Sequence, residues 1–213
     1  MARVIVVGSI NQDVTVTVDR FPAPGETLSG SSLTYGLGGK GANQAAAAAR
    51  SGIPTLFVGA VGTDLAGHSL RTHLAAHGVD VTHLREVDSP SGTALITVAA
   101  SGENTIILDA GANRASSIAH AKASLFPAPS DIVVLQAEIP PAANAAAIEW
   151  AHSFGARVLL NLAPARATDP TTLSRLDILV VNETEAGLTL GMPAPATPTE
   201  AIGVARALRG MGP

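Results

Sequence analysis

Gly38-Gly39-Lys40-Gly41-Ala42-Asn43-Gln44, followed at once by the alanine-rich run 45–50, is the stretch from which the fold is read. Alanine is the best helix former and glycine the poorest apart from proline, so a helix is predicted to begin near Gly41. Gly52 is placed as its C-terminal stop. Such a turn can do no more than launch a helix, or it can hold a ligand. Glycine permits positive φ and close backbone approach, and free N–H groups at a helix start favour anions and polar oxygens. Lys40 and Asn43 bring a charge and an amide to the same mouth. The stretch is not a Walker A loop, in which the lysine is followed by a hydroxyl residue for Mg²⁺; here Lys40 is followed by Gly41.

The chain has 213 residues, enough for one α/β domain with a substantial core. Apolar residues make up 46%, yet aromatics only 3%, so that core must be built from small and aliphatic side chains. There is no cysteine, which excludes disulfides, thiolate metal sites and cysteine nucleophiles. A formal net charge of −4 argues against nucleic acid, which asks for a basic face. No apolar run approaches the roughly 18 residues of a membrane span. The apolar segment near the start is too short for a secretory signal. A cytoplasmic protein is expected.

Val4-Ile5-Val6-Val7, ending in Gly8, reads as a strand buried on both faces of a parallel sheet. Val14, Val16 and Val18 alternate with threonines, the period of a half-exposed strand. Pro22, Pro24 and Gly25 make a turn, and residues 28–37 read as a second exposed strand. Core alternation resumes with a strand at 56–58, a helix at 64–77 stopped by Gly78, and an extended stretch at 79–87. Residues 92–100 and 104–108 flank Ser101-Gly102-Glu103 as a hairpin. Helices are expected at 118–125, 141–152, from Asp169-Pro170, at 183–190 and at 198–208, with core strands at 132–135, 158–160 and 178–181. Helices alternating with continuous apolar strands signal a doubly wound parallel sheet. Residues 11–37 and 92–108 are two β excursions from that pattern. The alternation ends on a helix, where a further strand is expected.

Open α/β sheets bind ligands beyond the carboxyl ends of their strands. Just past the apolar runs lie Asn11 and Asp13, then Glu138, then Asn161, then Asn182, Glu183 and Glu185. Carboxylates accept hydrogen bonds and amides do both, which suits a polyhydroxylated ligand. His73 and His77 stand four apart with no third ligand in the pattern, and read as solvated helix-face residues. Neither a Gly-x-Ser-x-Gly elbow nor a dinucleotide Gly-x-Gly-x-x-Gly after the first strand is present.

With these residues in view, the chain resembles the ribokinase-like (phosphofructokinase-B) family of sugar kinases along its whole length. The resemblance is carried, in family order, by Gly8-Ser9-Ile10-Asn11-x-Asp13, Pro24-Gly25-Glu26-Thr27, Gly38-Gly39-Lys40-Gly41-Ala42-Asn43-Gln44-Ala45, Ala110-Gly111-Ala112-Asn113, Gln136-x-Glu138, Asn161-x-Ala163-Pro164-Ala165 and Asn182-Glu183-Thr184-Glu185-Ala186. It implies a three-layer, Rossmann-like α/β domain with helices on both faces of the sheet and a small β lid formed from about 11–37 and 92–108. It implies that Asn11, Asp13, Gly39, Lys40, Asn43 and Glu138 hold the hydroxyls of D-ribose. Asn182 and Glu185 would lie near the phosphates of ATP, with Glu185 helping to arrange Mg²⁺. It also implies K⁺ as an activating ion, a homodimer through the lid, and transfer of the γ-phosphoryl of ATP to the 5-hydroxyl of ribose. Alternatives are another pentose or nucleoside kinase of the family, or a sugar-binding protein without turnover. The family's second signature, a Gly-Ala-Gly-Asp segment supplying the catalytic base, is absent from residues 1–213. The resemblance places that base beyond Pro213 and implies a domain lacking its C-terminal third.

Overall fold

In the computed structural model, which describes residues 2–166 and 168–212, two sheets share one chain. The main sheet contains β1 (Val4–Val7), β4 (Thr55–Gly62), β5 (Val79–Val87), β8 (Ile132–Gln136), β9 (Arg157–Asn161) and β10 (Ile178–Val180). Their order is β10-β9-β8-β1-β4-β5, and every pairing is parallel. The second sheet holds β2 (Asn11–Val18), β3 (Ser32–Gly38), β6 (Gly92–Ala99) and β7 (Asn104–Asp109) in the order β3-β2-β6-β7. The helices are α1 (Lys40–Arg50), α2 (Leu65–Ala76), α3 (Pro141–Ser153), the single turn α4 (Pro170–Leu173), α5 (Glu183–Leu190) and α6 (Pro198–Arg209).

The continuous apolar runs form central strands because both faces of the main sheet are covered. On β1, Ile5 and Val7 join a core with Ala147, Ile148 and Ala151 of α3. Val6, between them, joins another core with Ala42 and Ala45 of α1 and Leu70 and Leu74 of α2. Successive strand side chains point to opposite faces, so helices lie on both, as expected. The alanine bias has a packing role here: a methyl side chain on the buried stripe lets α1 and α3 lie close to the sheet. Each larger aliphatic side chain fully buried in this way is worth about 1.5–3 kcal/mol.

At the amino ends of β1 and β8 the fully buried Asp131 clamps Arg3. Its carboxylate accepts from the Arg3 backbone N–H at 2.9 Å and from Arg3 Nη2 at 2.6 Å. Burial opposes the charge, but these bonds and one from the Ala128 amide hold the carboxyl below its usual pKa. β1 and β8 are thus fixed side by side, Val4 opposite Ile132, and their carboxyl ends emerge together. From β1 the chain builds outward to β4 and β5, then returns to add β8, β9 and β10 on the other side. The strand order reverses next to β1, which is where an open α/β sheet forms its ligand crevice.

The two β excursions pair with each other, β2 running parallel to β6 from Asn11↔Gly92 to Val18↔Ala99. Residues 79–87 are a full strand of the main sheet, in register with β4. Two expectations need correction, and one element is new. The exposed strand begins at Ser32 and not at Leu28; Ser31 instead turns back to donate to Thr17 O at 2.9 Å. The stretch 118–125 is a pair of tight turns and not a helix: Lys122 and Leu125 donate to the carbonyls of Ile118 and Ala121, but the pattern goes no further before Pro127. Proline cannot continue it, and Ile118, Ala121 and Leu125 are buried by the α3 core without a regular helix. Finally, a 3₁₀ turn at Gly111–Ala115, which periodicity did not indicate, follows β7.

Candidate active site

The site is built around the start of α1. A helix leaves its first N–H groups without intrahelical partners. Gly39, in the N-cap position, has no side chain to offer them. Neighbouring elements supply the acceptors. Lys40 N donates to Glu138 Oε2 at 2.9 Å, Gly41 N to Ser9 Oγ at 3.2 Å, and Ala42 N to Ser9 O at 2.9 Å. Ser9 Oγ in turn donates to Glu138 Oε2 at 2.6 Å. From the sequence these amides could either launch the helix alone or stand open to a ligand anion. The amides of residues 40–42 are instead occupied by the chain itself, and Glu138 is the anion at the positive end of the helix. Gly39 makes this approach possible. Its φ is +90°, and a Cβ there would lie 2.8 Å from Ile10 Cα and 2.9 Å from Asn11 N.

Asn11 and Asp13 enter the site from β2, two residues apart and therefore on one face. Asn11 is buried and Asp13 is half-buried. Gly38, on the adjacent strand, leaves room for the Asp13 carboxylate: a Cβ there would meet Asp13 Oδ1 at 2.0 Å. Burial, and after it the nearby charge of Glu138, pushes the Asp13 carboxyl above its usual pKa.

A second group of residues surrounds an open cavity of about 450 Å³ lined by Lys40, Asn43, Gln44, Asn161, Ala163, Val180, Val181, Asn182 and Glu185. Asn182 and Glu185 form a capping box on α5. Asn182 N donates to Glu185 Oε2 at 2.8 Å, and Glu185 N donates to Asn182 Oδ1 at 2.8 Å. One Glu185 oxygen is therefore structural, and Oε1 is left to the cavity. Gln44 Oε1 and Asn161 Oδ1 are buried beside it without a hydrogen-bond partner. Among the described residues no cluster of His, Asp or Glu could hold a metal alone. Mg²⁺ does not require one, since it is commonly held by one or two carboxylates with water and substrate phosphates. A single carboxylate oxygen beside two orphaned amide oxygens fits such a hydrated ion.

Of the polar residues past the strands, Glu183 is exposed and does not line the cavity, whereas Asn161 does. Asn11, Asp13, Gly39 and Glu138 line one end, Asn43, Asn182 and Glu185 the other, and Lys40 belongs to both. Sequence reasoning gives no role to Ser9 or to Asn113, which is buried and bonded to Asn11. Their partners are distant in the chain, and nothing local signals them.

The raised Asp13 pKa has a measurable consequence. Above the ordinary carboxylate value of ~4 the unfolded chain has lost the proton while the native state still holds it. Stability therefore falls as pH rises through that window. Asp13→Asn is expected to remove this slope and raise Tm at neutral pH. Glu138→Gln is expected to remove only the smaller part, since burial is the main cause. Scanning calorimetry from acid to neutral pH decides; a slope unchanged by Asp13→Asn would contradict the assignment.

Comparison with known proteins bears on the family of the chain. The chain is 40% identical over 189 residues to the ribokinase of Haemophilus influenzae, covering 88% of this chain and 62% of that protein. It is 41% identical over 196 residues to the ribokinase of Staphylococcus aureus, covering 89% and 64%. It therefore spans less than two thirds of the length of these relatives. The structure of Arabidopsis thaliana ribokinase complexed with ribose and ATP superposes with a TM-score of 0.89 at 33% identity, over 100% of this chain and 70% of that one. Residues 1–213 match the pfkB family carbohydrate kinases throughout, and the chain belongs to that family.

Proposed function

We propose that this chain carries the sugar-binding machinery of an ATP-dependent kinase that phosphorylates D-ribose on its 5-hydroxyl. One observation carries the reading: two carboxylates, Asp13 and Glu138, and an amide, Asn11, converge at the carboxyl ends of β1 and β8 and the start of α1. Phosphoryl transfer depends chiefly on positioning and electrostatics. Asp13 and Glu138 accept hydrogen bonds from sugar hydroxyls and hold the acceptor in place. Lys40, at the join of the two groups, donates to sugar hydroxyls from the start of α1. Asn43 would reach the sugar from the cavity it shares with Asn182 and Glu185, which face the nucleotide. Mg²⁺ would be held by Glu185 together with phosphate oxygens, and it supplies charge neutralisation on the transferring group. K⁺ accompanies it by resemblance to the family, and no residue of this chain is assigned to it. The base that takes the hydroxyl proton is not assigned among residues 1–213, which contain no Gly-Ala-Gly-Asp segment.

The second sheet acts as the lid in this reading. Its Asp13-bearing face turns to the sugar, and closure would exclude water from the transfer. Its other face carries Tyr35, Val14, Leu95 and Ile107 in one cross-strand row. Tyr35, Leu95 and Ile107 are 65%, 52% and 70% exposed. An exposed apolar row on a small sheet favours a protein partner, and a second copy of the chain is the partner proposed. Among the described residues no helix is long and apolar enough to cross a membrane, and a cytoplasmic location accords with the use of ATP.

Calorimetric titration of the 213-residue protein with ribose tests the reading. Binding is expected, and Asp13→Ala is expected to weaken it at least about tenfold, or ~1.4 kcal/mol. Added Mg-ATP and K⁺ with an ADP assay then distinguishes a kinase from a sugar-binding protein. Failure to bind ribose while binding another pentose or a nucleoside would move the assignment within the family; silence towards all of them would overturn it. Sedimentation equilibrium tests the partner. A dimer is expected, converted to a monomer by Leu95→Glu with Ile107→Glu, and a monomeric wild type would refute it.

A further inference from the structure

Asn113, on the 3₁₀ turn after β7, is 1% exposed and makes three side-chain hydrogen bonds. Its Oδ1 accepts from Ile10 N at 2.9 Å. Its Nδ2 donates to Ile10 O at 3.1 Å and to Asn11 Oδ1 at 2.7 Å. A backbone N–H can only donate and a carbonyl can only accept, so Ile10 dictates which way the Asn113 amide is turned. The amide of Asn11 is dictated in its turn. Its Oδ1 is committed to Asn113, which leaves its Nδ2 on the side away from Asn113. Bare backbone packs against the pair: a Cβ on Gly92 would stand 2.2 Å from Asn113 Nδ2 and 2.3 Å from Asn11 Oδ1. Neither amide has room to swing aside.

We propose that Asn113 is a positioning residue that sets the hydrogen-bond polarity of the sugar site. It holds Asn11 in the one orientation that presents N–H donors, so the ligand oxygen facing Asn11 is recognised as an acceptor. The hydroxyls facing Asp13 and Glu138 are recognised as donors, because an ionised carboxylate can only accept. This rests on the sugar-site reading above. A hydroxyl satisfies either polarity, so ribose itself does not reveal the difference. A fluorine does, since it replaces the hydroxyl with a weak acceptor that has no proton to give.

Two measurements test the proposal. The first needs no ligand. In ¹⁵N-labelled free protein the side-chain amide protons of Asn113 are expected to exchange with solvent at least tenfold more slowly than those of Asn11. Slower exchange at Asn11 than at Asn113 would overturn the proposal whether or not ribose is the substrate. The second compares riboses fluorinated or deoxygenated singly at C2, C3 and C5 by calorimetry. One fluoro sugar is expected to bind within about threefold of ribose while its deoxy partner loses at least tenfold. In Asn113→Asp the new carboxylate still accepts from Ile10 but cannot donate to Asn11, so Asn11 turns over and the tolerance of that fluoro sugar is lost. Fluoro and deoxy sugars losing affinity alike at every position would overturn the proposal. Absence of binding by every sugar, with the exchange pattern as expected, would instead refute the sugar assignment and leave the polarity relay standing.

Discussion

The structure depends on how the first amides of α1 are satisfied. With a glycine in the N-cap position, the helix has no local side chain to close its start. The acceptors come from Ser9, just past β1, and Glu138, just past β8. Three elements far apart in sequence are tied at one point by four hydrogen bonds. The tie needs backbones closer than any Cβ would permit, which Gly39 grants. An unsatisfied buried N–H costs about 1–3 kcal/mol, so separating the elements is penalised more than once. The same bonds aim Glu138 into the crevice, and stability and site geometry therefore share one set of interactions.

The second sheet is attached to this point at Asn11, where β2 leaves the main body, and its neighbour β6 begins beside it at Gly92. Asn113 bonds to the backbone of Ile10 on one side and to Asn11 on the other. It fastens the base of the sheet, while the distal strands remain exposed on both faces. The period-two alternation of β2 then serves two faces, Asn11 and Asp13 inward, Val14 and Val16 outward.

Much of this was legible in the sequence. Val4–Val7 and Ile132–Leu135 could only be central strands, because an uninterrupted apolar run has nowhere to place a wet face. Polar residues past such strands fall at the crevice by geometry alone, which is why Asn11, Glu138 and Asn182 were found. What escaped was carried by long-range hydrogen bonds. Ser9 and Glu138 lie 129 residues apart, and Asn113 and Asn11 lie 102 apart. No window of sequence contains both partners. The segment 118–125 escaped for another reason: its apolar spacing is helical, but burial of three side chains needed only two turns. Glu185 was legible as a polar residue at a helix start, but not that half of its carboxylate would be spent on capping α5.

The central claim is that the tie between Ser9, Glu138 and the start of α1 forms a sugar cradle. A crystal structure of the protein soaked with ribose addresses it most directly. The account predicts the sugar between β2 and α1, its hydroxyls within hydrogen-bonding distance of Asp13 and Glu138 and one oxygen facing Asn11 Nδ2. Ribose bound elsewhere, or bound here with Asp13 and Glu138 turned away from it, would contradict the claim.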